Sequence, residues 1–269
     1  MEPTDEEIRL TPLGAFAAFS FGLLLGWVAG LIGVGGGEFR IPVLLYVLKL
    51  PLFRMIPVNL LVGLLTVTVS FLKRFQMGLW SADWLGVSLA MAISSVIGAY
   101  KGAVLTGRIP ERPVKTMLAA MLIVVGLKIM LEPLAGPPTT PPPRLGFVEE
   151  LSLALLVGLG IGMVSGMFGV AGGEFRIPAL MYVFGLNVVD AGSVSLLVSM
   201  PTIASGLVKH YNMSRVNRKA VLIAITMGLG STLGSIAGAA FVEEMEEGLL
   251  KMVLGVVLIL ATVRMVIKH

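Results

Sequence analysis

The sequence has no cysteine, only two histidines and few charged residues. Without cysteine, disulfide frameworks, thiolate metal sites and cysteine nucleophiles are excluded. His210 lies in a stretch that we interpret as a basic loop and His269 ends the chain, so the sequence predicts no metal site. No combination of nucleophile, base and orienting residue is apparent, and we expect neither enzymatic activity nor a cofactor.

Apolar residues dominate the composition. They make up 56% of the chain, charged residues make up 13%, and the mean hydropathy is +0.94, whereas globular chains carry roughly 25% charged residues. The apolar residues form about ten segments, which predicts an all-α integral membrane protein. The net charge of +4 is typical of membrane proteins with basic cytoplasmic loops. Nucleic acid is therefore not an expected partner, whereas membrane lipid is.

One motif occurs twice, at corresponding places in the two halves of the chain. Residues 33–42 read GVGGGEFRIP, and residues 169–178 read GVAGGEFRIP. Each copy follows about 20 almost uncharged residues, enough to cross the hydrocarbon core of a bilayer. Glycine-broken apolar segments at corresponding positions of two halves indicate the binding site of a membrane transporter.

The apolar segments divide the chain into two halves of five. We predict a first repeat over residues 1–132, a proline-rich linker over 133–146 and a second repeat over 147–269. The second segment of each half, at 39–48 and 175–186, is too short to span, because ten helical residues rise only about 15 Å. Each is either a half-helix or one arm of a re-entrant hairpin.

An odd number of segments per repeat predicts two repeats of inverted topology. The charges of equivalent loops agree, because loop 108–115 is net positive and loop 243–251 is net negative. These loop charges, together with Arg264 and Lys268, predict a multi-pass protein of the cell membrane whose carboxyl terminus lies on the cytoplasmic side. Lys73, Arg74 and the acidic amino terminus do not fit this orientation.

The repeated motifs supply the candidate binding residues. Glycines allow backbone amides to converge at the start of a short helix, and an arginine fork suits the oxygens of an anion. Candidate substrate-binding residues are Gly35, Gly36, Gly37, Arg40, Gly172, Gly173 and Arg176, together with Asn59 and Ser195 at matched positions of the third segments. Glu38 and Glu174 are candidate counter-charges or proton carriers.

Other roles for these residues are open at this point. The glycines also suit close helix packing, and the Glu and Arg side chains could form ion pairs between the repeats. The arginines could instead extend to an aqueous interface. Four hydroxyl residues are weaker candidates for lining a pathway: Thr66, Thr68, Thr202 and Ser205.

The duplicated GxGGG-type segment followed by an apolar stretch with a proline resembles the sulfite exporter (TauE/SafE) family of membrane permeases. A polar third segment that ends in basic residues and leads to Gly78 and Asp83-Trp84 adds to the likeness. The resemblance spans nearly the whole chain and implies transport of sulfite, organosulfonates or related sulfur oxyanions. The family commonly has aliphatic residues where this chain has Glu38-Phe39-Arg40 and Glu174-Phe175-Arg176.

The sequence thus predicts a secondary transporter for a small anion that works by alternating access, through rocking of the two halves, with proton coupling as an option. A passive anion channel and a membrane assembly protein without transport activity are the alternatives. A homo-oligomer is compatible with this prediction.

Overall fold

The structure is a computed structural model that describes residues 11–106, 111–135, 146–213, 215 and 218–267, and helix is the only regular structure in these ranges. The first half contains α1 (Pro12–Ile32), α2 (Gly37–Pro42), α3 (Leu52–Gln76), α4 (Leu85–Leu105) and α5 (Glu111–Ala135). The second half contains α6 (Phe147–Phe168), α7 (Gly173–Val183), α8 (Val188–Asn212), α9 (Arg218–Ala240) and α10 (Glu247–Ile267). The predicted all-helical fold is confirmed. Most of the linker, at 136–145, lies outside the described residues.

Six of the described helices are long and apolar enough to cross a membrane, namely α1, α3, α4, α6, α8 and α9. The predicted short second segments are α2 and α7. With 11 residues, α7 rises only about 16 Å, roughly half of the hydrocarbon thickness. In the first half, α2 stops at Pro42 and a π-helical turn, Val43–Val47, continues the segment. The two copies therefore share their start but differ in how they end.

Two tight helix crossings hold the fold together, and each joins the two halves. In the first, α1 packs against α9 through Gly22, Gly26 and Gly30, each of which lies directly against the α9 backbone. In the second, α4 packs against α6 in the same way. Residue numbers rise together along both pairs, so the paired helices run parallel. Such spacing of small residues lets helix backbones approach closely inside a membrane.

The long helices α3 and α8 pack against each other at the centre of the fold. The carboxyl end of α1 lies beside the carboxyl end of α3, because the Arg74 side chain donates to the carbonyls of Gly30 and Leu31. The carboxyl end of α6 lies instead beside the amino end of α3, where Gly169 contacts Ile56. Helices α1 and α6, which are equivalent in sequence, therefore end at opposite ends of α3.

Two residues that the sequence places at basic segment ends are buried helix caps. Arg74 is 1% exposed and donates to carbonyls of α1 and to Val189 O at the start of α8. The prediction that His210 lies in a loop is wrong, because it is a fully buried residue of α8 whose Nε2 lies 3.3 Å from Gly166 O. Positions 74 and 210 are equivalent in the two repeats. Because Arg74 is a buried helix cap, its charge does not count among the loop charges. It therefore no longer disagrees with the predicted orientation.

A polar contact fixes the carboxyl end of α7. The Tyr182 hydroxyl donates to Glu132 Oε2 of α5 at 2.9 Å, and Lys251 Nζ of α10 contacts Glu132 Oε1 at 2.9 Å. Helices α5 and α10 pack against each other, so this contact ties the short helix to their pair.

Candidate functional site

Glycines of the repeated motif break the chain before each short helix. The residues that precede α2 and α7 are Gly36 and Gly172, with φ angles of +66° and +76° in the left-handed region. Residues with a Cβ rarely adopt this conformation. The motif thus turns the chain sharply at the point where the short helix begins.

The two motifs contact each other at the centre of the protein. A Cβ added at Gly37 would lie 3.2 Å from Val170 Cα, and one at Gly173 would lie 2.6 Å from Val34 O. Gly35 lies equally close to Ala171. These glycines therefore provide room for one motif to pack against the other, which is the packing role that the sequence left open.

Arg40 is fully buried against the middle of α3. Its Nε donates to Asn59 Oδ1 at 3.0 Å, and its Nη1 donates to Thr66 Oγ1 at 3.5 Å. Its Nη2 has no hydrogen-bond partner among the described residues. Asn59 Nδ2 also donates to Gly37 O and, across the repeats, to Gly169 O at 2.8 Å. Asn59 therefore holds both the arginine and the two motif backbones.

Arg176 is the equivalent residue of the second repeat and is also fully buried. Its Nη1 donates to Ser195 O at 3.1 Å and to Ser199 Oγ at 2.6 Å, in the middle of α8. Neither Nε nor Nη2 has a partner within the described part of the chain, and the same holds for the Ser195 hydroxyl. Polar groups buried inside proteins are nearly always hydrogen-bonded, so such a group of donors needs an explanation.

The two glutamates are buried near the arginines. Glu38 is 4% exposed and Glu174 is 2% exposed. The two carboxyl groups are close enough to interact electrostatically, and Arg40 lies within electrostatic range of both. Arg176 interacts in this way with Glu174. Two guanidiniums and two carboxyls thus share one buried, low-dielectric region, where charges act strongly on each other.

The structure brings the predicted charged residues together and separates the weaker candidates. Thr66 contacts Arg40. Among the described residues, Thr202 bonds to Val198 O of its own helix and Ser205 bonds to Val96 O. Ser199 is not among the residues that the sequence predicts for the site. Its position four residues after Ser195, on the same helix face, is the pattern that indicates it.

Burial excludes one of the alternatives for the arginines. Because both side chains are fully buried, neither extends to an aqueous interface. Their hydrogen bonds go to neutral side-chain and backbone oxygens. The arrangement can therefore offer an anion N–H donors that lack partners among the described residues, and it offers net positive charge when a neighbouring carboxyl group is protonated.

The family model described as sulfite exporter TauE/SafE matches residues 3–129 and 154–269. The probable membrane transporter protein YunE of Bacillus subtilis (strain 168) is 24% identical over 89% of this chain and 92% of its own length. A probable membrane transporter protein, ORF9, of Sinorhizobium is 26% identical over 93% of both chains. No solved structure matches the chain significantly.

Proposed function

Because the chain belongs to the TauE/SafE sulfite exporter family of membrane transporters, we propose that it moves a small oxyanion, such as sulfite or an organosulfonate, across the cell membrane. Arg40 and Arg176 bind the anion where the two motifs meet. Glu38 and Glu174 balance the arginine charges when no anion is bound, or carry protons. Proton carriage requires that anion flux responds to a pH gradient, and a flux indifferent to such a gradient would exclude it.

One observation carries this proposal. Two equivalent arginines are fully buried at the contact between two glycine-broken segments, and both have guanidinium nitrogens without a hydrogen-bond partner in the described ranges. Ionisable residues inside a membrane protein are costly and tend to be functional. An anion would supply the missing acceptors and part of the counter-charge.

Substituting either arginine by glutamine tests the anion site. We expect Arg40→Gln and Arg176→Gln each to lower the flux of ³⁵S-sulfite into proteoliposomes by roughly 10- to 100-fold, since a charge-assisted hydrogen bond contributes about 1.5–3 kcal/mol. Lys101→Gln is the control, because Lys101 is exposed on α4 and loses the same charge outside the site. Unchanged flux in both arginine variants would remove the arginines from the mechanism.

The same vesicles separate the alternatives. A passive channel would show flux that neither saturates with sulfite nor depends on any counter-gradient. An assembly protein without transport activity would show no flux, and no anion would raise its melting temperature.

We propose further that the two repeats have inverted orientation in the membrane. The opposite placement of the α1 and α6 carboxyl ends along α3 supports this topology. The loop after α2 and the loop after α7 should then lie on opposite sides, the first in the cytoplasm. Alternating access through a central site is typical of such repeats.

The absence of cysteine makes the orientation directly measurable. Lys49 and Asn187 are exposed residues of these two loops. In intact cells, a membrane-impermeant maleimide should label Asn187→Cys, and it should label Lys49→Cys only after permeabilisation. The unsubstituted chain provides a background without thiols. Labelling of both variants from the same side would overturn the inverted topology.

A further inference from the structure

The two arginines are equivalent in sequence but not in their partners. When the two motifs are aligned, Asn59 corresponds to Ser195 and Gly63 corresponds to Ser199. Arg40 uses Nε and Nη1 for bonds to Asn59 and Thr66. Within the described ranges, Arg176 uses Nη1 alone, for both of its bonds. The substitution of serine for asparagine thus leaves the second arginine with more unused donors.

The unused donors of Arg176 form one edge of its guanidinium. Nε–H and one hydrogen of Nη2 point in the same direction, and this pair is an edge that binds two oxygens of one anion at once. In Arg176 both nitrogens lack a partner within the described residues, whereas in Arg40 only Nη2 does. A complete two-donor edge is therefore available in the second repeat, and Asn59 occupies half of the equivalent edge in the first.

Ser195, which is equivalent to Asn59, carries a further donor without a partner among the described residues. Ser195 is fully buried, its backbone carbonyl accepts from Arg176, and its hydroxyl has no partner among the residues described. Burying several unsatisfied polar groups together costs free energy, and a ligand that satisfies them recovers it. Asn59, by contrast, has all of its polar atoms engaged in holding the two motifs.

We infer that the second repeat is the recognition half of the site. An oxyanion with two adjacent oxygens on one atom, as in sulfite, a sulfonate or a carboxylate, binds side-on to Nε and Nη2 of Arg176, and Ser195 donates its hydroxyl to the same anion. Arg40 contributes its charge and at most one donor. A halide is a single atom and cannot present two oxygens to this edge, so it binds more weakly. The inference rests on the proposed anion transport and names the ligand geometry.

Replacing Ser195 by asparagine, the residue at the equivalent position of the first repeat, tests the inference. In Ser195→Asn, the new amide oxygen should accept from Arg176 Nε, as Asn59 does from Arg40. We expect the KM for ³⁵S-sulfite in proteoliposomes to rise at least tenfold and the sulfite-induced rise in melting temperature to vanish. The melting temperature without sulfite should not fall, because a buried donor gains a partner. Ser195→Ala leaves the edge open and should raise KM only about threefold.

A second pair of variants decides the matter if Ser195→Asn does not fold. Lysine cannot offer two donors along one edge, so Arg176→Lys should raise KM at least tenfold more than Arg40→Lys. Equal effects of the two lysine variants, or an unchanged KM in folded Ser195→Asn, would overturn the inference while transport itself stands. If the unsubstituted protein neither transports sulfite nor is stabilised by it, the proposed function for sulfite fails first.

Discussion

A Gly162→Ala variant should fail to accumulate as folded protein, whereas Gly160→Ala, on the same helix, should behave like the unsubstituted chain. The added methyl at position 162 would lie 2.4 Å from Ser95 O and 2.7 Å from Ser95 Cα, and at position 160 no atom lies within 4 Å. The obstacle at 162 is backbone, which cannot move aside without separating α4 from α6. We expect a loss of roughly 3 kcal/mol or more, at or above the usual cost of overpacking.

The paired design isolates packing from helix propensity. Alanine favours a helix over glycine by about 1 kcal/mol at either position, so propensity cancels in the comparison. Size-exclusion chromatography of fluorescently tagged protein in detergent measures the folded fraction of each variant. Equal folded fractions would mean that the α4–α6 crossing is not as close as the structure has it.

Arg74→Met should produce the second large effect, a loss of about 3–5 kcal/mol of stability, because it leaves the buried carbonyls of Gly30 and Leu31 without this donor, at about 1–3 kcal/mol for each unsatisfied group. The guanidinium reaches Gly30 O, Leu31 O and Val189 O, the last at 3.1 Å. Tryptophan fluorescence during heating in detergent provides the measurement. Lys73→Met removes the same charge one residue earlier, at a partly exposed position, and should change the melting temperature little.

An Arg74→His variant tests the same capping role with a smaller expected loss of stability. His210 is equivalent to Arg74 in the second repeat and lies against the end of α6 as Arg74 lies against the end of α1. Arg74→His should therefore retain part of the stability that Arg74→Met loses. If Arg74→Met melts at the same temperature as Lys73→Met, the capping role is wrong.

Much of the architecture could be predicted because the duplication is visible in one sequence. Aligning the two motifs identified equivalent helices, and the glycine breaks indicated the short α2 and α7. Arg40 and Arg176 stood out because arginine is rare within apolar segments. Their meeting at one centre was a prediction that followed from the duplicated pattern.

The capping residues could not be predicted in the same way. A basic residue at the end of an apolar segment has the same local pattern whether it faces water or folds back onto another helix. Arg74 caps α1, although α2 and nearly all of α3 separate the two in the chain, and no local pattern encodes such a contact. The difference between the two arginines was equally hidden, since it depends on whether Asn59 or Ser195 reaches a particular guanidinium nitrogen.

The two glycine-lined crossings have a consequence for how the protein can move. Each crossing locks a helix of one repeat to a helix of the other, α1 to α9 and α4 to α6. A rigid-body rotation of the amino-terminal half against the carboxyl-terminal half would separate the helices at both crossings. We therefore expect the rigid bodies of a transport cycle to be pairs of helices taken from both repeats, rather than the two halves that the sequence predicts to rock.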